Sequence, residues 1–321
     1  MINNIEMKYS VGALLYAPAL NNTVAHSVIS EKFGKKYSLA LCLEDTIPED
    51  SVAMAIEQLK NTLKSIYEEH KRKDFYLPKI FVRVRCANHL LEVYKKICLY
   101  EEVLCGFIFP KYSVGNGDEY NDNFLKINEL SYKKLYMMPI LESKDIANYK
   151  TRFDVLNRIK EKIDKMKEHV LNVRVGGNDF CNEFSIRRHY DETIYDILPI
   201  SQLMGDILTV FSREYVVSGL VWEFFSSDND EWKNGLVREL KYDRLNGFIG
   251  KTVIHPKQIN VVNEMLKVSE KDFQDAKAIL NWDIRSLQVG KSFAGERMNE
   301  VKTHENWAMK MTALAELYGV L

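Results

Sequence analysis

In this sequence, acids and bases gather where apolar runs stop. Glu142 ends the run 135–141 in KKLYMMPILES, and Asp179 lies in GGNDF, directly behind VLNVRV. Glu44 and Asp45 close LALCLEDT, Arg83 and Arg85 close KIFVRVR, Lys111 follows GFIFP, and Glu223 closes VVSGLVWE. If Glu142 and Asp179 end consecutive strands, each disfavours the other's ionisation unless a cation joins them. Mg2+ suits such a pair, because it is hard, prefers oxygen and often takes only one or two protein carboxylates. The competing reading pairs each acid with a nearby Lys or Arg.

Arg83 stands between Val82 and Val84, and strand alternation sends it and Val84 to opposite sides. Its planar fork suits a substrate carboxylate, and it also suits an ion pair with Glu44 or Asp45; the two roles are compatible. Gly176 and Gly177 allow close approach of backbone to a ligand, or simply a tight turn. Lys111 has the chemistry for a Schiff base if desolvated, although an acidic pair nearby favours a metal mechanism. The basic stretch Arg187, Arg188, His189 suggests contact with an anion through Arg188, against pairing with Asp191 and Glu192. His255, just before Pro256, reads as a brace for a helix start.

To bring these residues together the chain must align its strand ends. Strand-like runs occupy 11–19, 39–46, 79–85, 106–112, 134–141, 170–177, 216–223 and 250–256, each followed by a helical pattern. One helix shows Val52, Ala55, Ile56, Leu59, Leu63, Ile66 and Tyr67 on a single face, and another shows Phe153, Leu156, Ile159, Ile163 and Met166. Eight such repeats predict an α/β fold, a (β/α)8 TIM barrel, whose carboxyl-end loops converge on one mouth. A doubly wound open sheet competes, but the first turn, APALNN, lacks the glycine-rich phosphate loop usual there. The expected division is a barrel domain over 1–268 and a carboxyl-terminal helical lid over 269–321, where the pattern becomes helix, glycine-bearing loop and helix.

A net charge of -1 gives no electrostatic reason to expect nucleic acid or an anionic membrane as partner. The five cysteines form no CxxC pair and read as reduced core thiols. The start MINNIEMKYS lacks a secretion signal and no uncharged run is long enough to span a bilayer, so the expected location is cytoplasmic.

Taken in order, these segments resemble the citrate lyase β-subunit and malyl-CoA lyase family of the HpcH/HpaI aldolase superfamily. LLYAPA is similar to its "LFVPG" strand, LCLEDTIP to "LDLEDAVP", VRV to "VRVN", FPK to "LPK", PILES to "PMIET", GGNDF to "GAEDL" and GFIGKTVIHPKQI to "GFxGKxxIHPxQI". The likeness runs from about residue 11 to 265 and weakly onward, where GERMNE resembles "GxMID". The resemblance implies Mg2+ at Glu142 and Asp179, a substrate-carboxylate contact at Arg83, and supporting roles for Glu44 and Asp45. It implies reversible carbon–carbon cleavage or condensation on an α-oxo or hydroxy acid through a metal-stabilised enolate. It also implies a homo-oligomer, trimer or hexamer, in which the tail of one subunit covers another; Glu300 stands where several relatives carry an acid–base Asp.

Ala19 and Arg85 replace a glycine and an asparagine of the family pattern, and the loop after Asp179 is enlarged. These departures mark a divergent branch and leave open a free oxo acid, a CoA thioester or a phosphorylated compound as substrate. Two other readings stand beside the lyase: a thioester hydrolase using the same metal site, and an inactive barrel serving as a binding or scaffold subunit.

Overall fold

The computed structural model describes residues 4–283 and 285–321, which fall into two compact units, Val11–Val262 and a second made of Asn263–Leu321 with the amino-terminal residues up to Ser10. In the first unit eight parallel strands succeed one another: β1 Ala13–Pro18, β2 Ser38–Cys42, β3 Lys79–Arg83, β4 Leu104–Phe109, β5 Tyr136–Leu141, β6 Val173–Val175, β7 Val217–Ser218 and β8 Lys251–Val253. Each pairs in parallel with its neighbours in chain order, and β1 also pairs with β8. A bridge between Gly219 and Lys251, with Gly219 N–H donating to the Gly250 carbonyl at 3.0 Å, joins β7 to β8 and closes the ring. The expected TIM barrel is therefore the fold.

Burial of apolar side chains on both faces explains why these runs become strands: Leu14, Leu39, Ala40, Phe81, Val82, Phe107, Ile108 and Met138 have no measurable exposure. Between β2 and β3, helix Val52–His70 buries Ala55, Ile56, Leu59, Leu63 and Ile66, as its periodicity required. Helix Gly117–Leu130 sets Tyr120 and Phe124 against Phe109, with the Phe109 and Tyr120 rings stacked at 4.6 Å.

Several sequence expectations need correction. The seventh strand shrinks to two residues, because Leu220 to Trp222 leave the ladder although Leu220 and Trp222 are fully buried. In helix Arg152–Asp164 the buried stripe is Val155, Leu156, Ile159 and Ile163; Phe153 is 48% exposed. Cys42 and Cys181 are buried free thiols, whereas Cys86 is exposed and is no core residue.

The second unit, taken by itself, packs helix Glu270–Leu280 against helix Val301–Tyr318. The loop expected between them contains an antiparallel hairpin, β9 Val289–Lys291 and β10 Met298–Glu300. Arg297 ties this hairpin to Asp272 and Asp275, both at 2.7 Å, and lies over the Trp307 ring. Among the described residues no helix is long and apolar enough to cross a membrane.

Candidate active site

The carboxyl ends of β2 to β6 bring together Glu44, Asp45, Arg83, Lys111, Glu142 and Asp179. Arg83 is the last residue of β3, and its side chain is 9% exposed. One terminal nitrogen meets Glu44 at 2.7 Å, Asp45 at 3.0 Å and Glu142 at 3.5 Å. Both carboxylates weighed as its ion-pair partners are thus engaged, and Glu142 joins them. The Arg83 Nε is buried and makes no hydrogen bond. Burial works against the guanidinium charge, but Tyr16, Glu142, Cys42 and Glu44 outweigh it and hold the group above its ordinary range.

Glu142 follows β5 directly and is 6% exposed. Its Oε1 accepts from the Lys111 backbone N–H at 2.8 Å. A Cβ on Gly176 would lie 2.0 Å from Glu142 Oε2, so glycine at this position is a steric requirement of the carboxylate. Gly177 has a different reason: its Cβ would strike the Leu220 side chain at 2.3 Å. Burial pushes the Glu142 carboxyl up to about 8, with Asp179 and Glu44 adding to the rise and Arg83 and the Lys111 N–H opposing it.

Asp179 corrects one expectation. It does not end β6; it sits in the first turn of helix Gly177–Glu183, two residues beyond the glycine pair. It is part-exposed and near enough to raise both Glu142 and Lys111 electrostatically. Lys111 takes a left-handed backbone with φ of 50°, which aims its N–H at Glu142, while Nζ reaches Glu44 Oε1 at 2.7 Å and Asp45 at 3.4 Å. Burial opposes the ammonium, yet Glu44, Asp45 and Asp179 hold it above its usual range. A Schiff base needs the neutral amine, so this setting disfavours that use of Lys111.

The remaining candidates have contacts of their own. Arg188 is buried, with its guanidinium 3.3 Å from Glu239 and 4.9 Å from the Trp222 ring centroid. Its charge is committed internally, and the partner is neither Asp191 nor Glu192. Arg187 meets Glu223 at 3.4 Å. His255 stacks on Phe225 at 4.9 Å and its Nδ1 accepts from the Lys257 N–H at 3.2 Å, in keeping with a bracing role. Arg85 donates to the carbonyls of Leu43 and Ile47, securing the loop after β2. Glu300 belongs to the second unit, where it precedes helix Val301–Tyr318 and its N–H donates to His304 Nδ1 at 2.9 Å.

Sequence reasoning missed Tyr16 and Arg174. Tyr16 lies in β1 under the Arg83 guanidinium, 5.9 Å from ring centroid to Cζ, and Arg174 in β6 donates to Thr252 Oγ1 at 2.6 Å. Arg174 also lies close enough to Tyr16 for the two to interact electrostatically. The available signal was a charged residue alternating with valines in VRV, the same signal that singled out Arg83.

The donor set fits Mg2+. Arg83 and Lys111 face four carboxylates, Glu44, Asp45, Glu142 and Asp179, so acids outnumber bases by two. The donors at the unmatched pair are all carboxylate oxygens, and no third His, Cys, Asp or Glu completes a closed cage among the described residues. Mg2+ commonly binds through one or two carboxylates and leaves its other positions to water and substrate.

Solved structures share the fold. CitE from Mycobacterium tuberculosis, solved with magnesium, acetoacetate and coenzyme A, superposes with a TM-score of 0.62 at 16% identity over 96% of this chain and 99% of that one. A citrate lyase from Burkholderia xenovorans LB400 gives a TM-score of 0.72 at 12% identity over 97% and 93%. The citrate lyase β subunit from M. tuberculosis, complexed with oxaloacetate and magnesium, gives 0.52 at 15% identity over 81% and 98%. No curated protein matches the chain. The model of one family, C–C bond lyase of the TIM-barrel fold, matches residues 5–320, and the chain belongs to that family of carbon–carbon lyases.

Proposed function

We propose that the protein is an Mg2+-dependent lyase that breaks or forms the carbon–carbon bond beside the carbonyl of a small α-oxo or hydroxy acid. The observation that carries this reading is the surplus of two carboxylates at the barrel mouth, next to a buried guanidinium with a free donor. Glu142 and Asp179 would hold the ion. When bound, it supplies a Lewis acid that stabilises negative charge developing on a substrate oxygen.

The chain's own residues do the rest. Arg83 Nε, unpartnered and buried, donates to the substrate carboxylate, while its terminal nitrogen stays fixed on Glu44 and Asp45. Lys111 adds positive charge beside that carboxylate, and its backbone N–H keeps Glu142 aimed. Burial raises the Glu44 carboxyl, so this group can take or return the proton that accompanies cleavage. The absence of a side chain on Gly176 leaves room for the Glu142 carboxylate itself, and that on Gly177 for the Leu220 side chain. Relatives solved with magnesium and pyruvate, acetoacetate or oxaloacetate support a small oxo acid as ligand.

Glu142→Gln tests the reading, since it keeps the shape and removes the charge. Mg2+-dependent turnover or enolisation of an oxo acid should fall by about 10^2 to 10^3, the range for loss of one charge-stabilising group. Turnover within twofold of the parent would remove Glu142 from the mechanism.

A further inference from the structure

Five cationic side chains are buried among the described residues, and four of them have carboxylate partners. Arg83 meets Glu44, Asp45 and Glu142; Arg152 meets Asp206; Arg188 meets Glu239; Lys251 meets Glu239 and Asp243. Arg174, 2% exposed, has none: its hydrogen bonds go to the neutral oxygens of Thr252 and Asn172, Tyr16 is its electrostatic neighbour, and its Nε has no hydrogen bond at all. A buried cation without a counter-ion is strongly unfavourable, so folds rarely keep one unless an anion arrives from elsewhere.

Its surroundings say where that anion would come from. Arg174 pairs in register with Ile140 of β5, and Glu142 and Gly176 stand two residues further along the same two strands. Strand alternation puts all four on the barrel interior, with Arg174 one layer, about 6–7 Å, beneath the Glu142 carboxylate. Ser218, its register partner on β7, shares that face and has a buried hydroxyl without a partner. Tyr16 from β1 and Thr252 from β8 reach the same guanidinium across the barrel, and both residues are part-exposed. Tyr16 thus stands between two guanidinium groups, Arg83 above and Arg174 below.

We infer that Arg174, Tyr16 and Ser218 form a second anion subsite beneath the metal pair, and that it takes the far carboxylate of a diacid whose α-oxo or α-hydroxy head lies on Glu142 and Asp179. The inference rests on the reading of the mouth given above and narrows its substrate class from oxo and hydroxy acids in general to dicarboxylic ones. The spacing of one strand layer corresponds to a chain of two or three carbons between the carboxylates. Arg174 supplies the charge and a fixed Nε donor, Ser218 a hydroxyl, and Tyr16 its phenol.

Titration of the intact protein with lactate, malate and 2-hydroxyglutarate, with and without Mg2+, tests this. The three acids share the α-hydroxy carboxylate head, and only the last two carry a far carboxylate. Wild type should bind the better diacid at least about tenfold more tightly than lactate, and Arg174→Met should bring that ratio to within about twofold of one. Metal-free Arg174→Met should melt no lower than wild type, because it removes an uncompensated buried charge; a purely structural arginine would lower the melting temperature and leave the ratio intact. If the methionine variant does not fold, the ratio is read on Arg174→Lys, which lacks Nε, and should drop at least threefold. A ratio that survives either substitution, or a wild type that binds lactate and diacids equally in the presence of Mg2+, overturns the subsite while leaving the metal site standing. Loss of any Mg2+ requirement for binding overturns both.

Discussion

Lys251 and Arg83 are both strand residues whose charges are withdrawn from water, yet their surroundings differ in balance. Lys251 has no exposure, and its ammonium lies 2.8 Å from Glu239 and 2.7 Å from Asp243. Arg188 adds a second cation on Glu239, Tyr195 donates to Asp243 at 2.6 Å, and the Ile194 N–H donates to Glu239 at 2.8 Å. Two cations meet two carboxylates there, and the enlarged loop after β6 is pinned to helix Glu231–Asn246 as a result. At the mouth two cations meet four carboxylates, and Arg83 Nε is left free. A balanced cluster has nothing to offer a ligand, whereas an unbalanced one is a standing demand for a cation. On the proposed function, the difference separates charges that hold the fold from charges that do chemistry.

The comparison is broken most directly on the balanced side. Lys251→Met strands two buried carboxylates and should lower the unfolding free energy by about 3–5 kcal/mol in denaturant titration. Glu142→Gln, on the other side, should cost turnover and leave stability unchanged or improved. If Lys251→Met proves neutral for stability, or Glu142→Gln unfolds the protein, the division between the two clusters is wrong.

A smaller effect sharpens the picture of the mouth. Gly176→Ala would drive a methyl group into the Glu142 carboxylate, and Mg2+ affinity should fall about ten- to a hundredfold, as when a group that orients a metal ligand is displaced. Calorimetric titration with Mg2+ measures it, and an unaltered affinity would mean that Glu142 does not bind the ion.

Acidity gives the mildest test. A carboxyl held near 8 keeps its proton in the folded, metal-free protein where the unfolded chain has lost it, so metal-free stability is highest at low pH within this window. It declines as pH rises from the ordinary carboxylate range through about 8. Mg2+ must displace that proton, so its affinity should climb by up to about tenfold per pH unit below 8 and level off above. A flat profile between pH 6 and 9 would place the ion away from Glu142. The balanced cluster predicts no such metal-linked slope.

Apolar runs that stop at charges made the barrel legible, because burial on both strand faces leaves a contiguous hydrophobic signature that short local reading detects. Glu142, Arg83 and Lys111 were visible for the same reason. Asp179 was assigned to a strand end because GGNDF follows VRV without a break; the helix that begins at Gly177 depends on how tightly that backbone packs against Leu220, which no local pattern records. Arg188 looked available because its true partner, Glu239, lies on a distant helix. Phe153 was placed on the buried face, although Arg152 fills a neighbouring buried position by pairing with Asp206 across a long sequence separation. Tyr16 and Arg174 escaped notice inside apolar strands, since their significance lies in which neighbours lack a charge.

The left-handed turn at Lys111 has a consequence for how this chemistry can diversify. Its peptide hydrogen, not its side chain, sets the direction of the Glu142 carboxylate. Any residue that tolerates that turn, glycine or asparagine above all, would deliver the same hydrogen. The ammonium beyond it can therefore be exchanged to suit another substrate without disturbing the aim of the acid it sits beside.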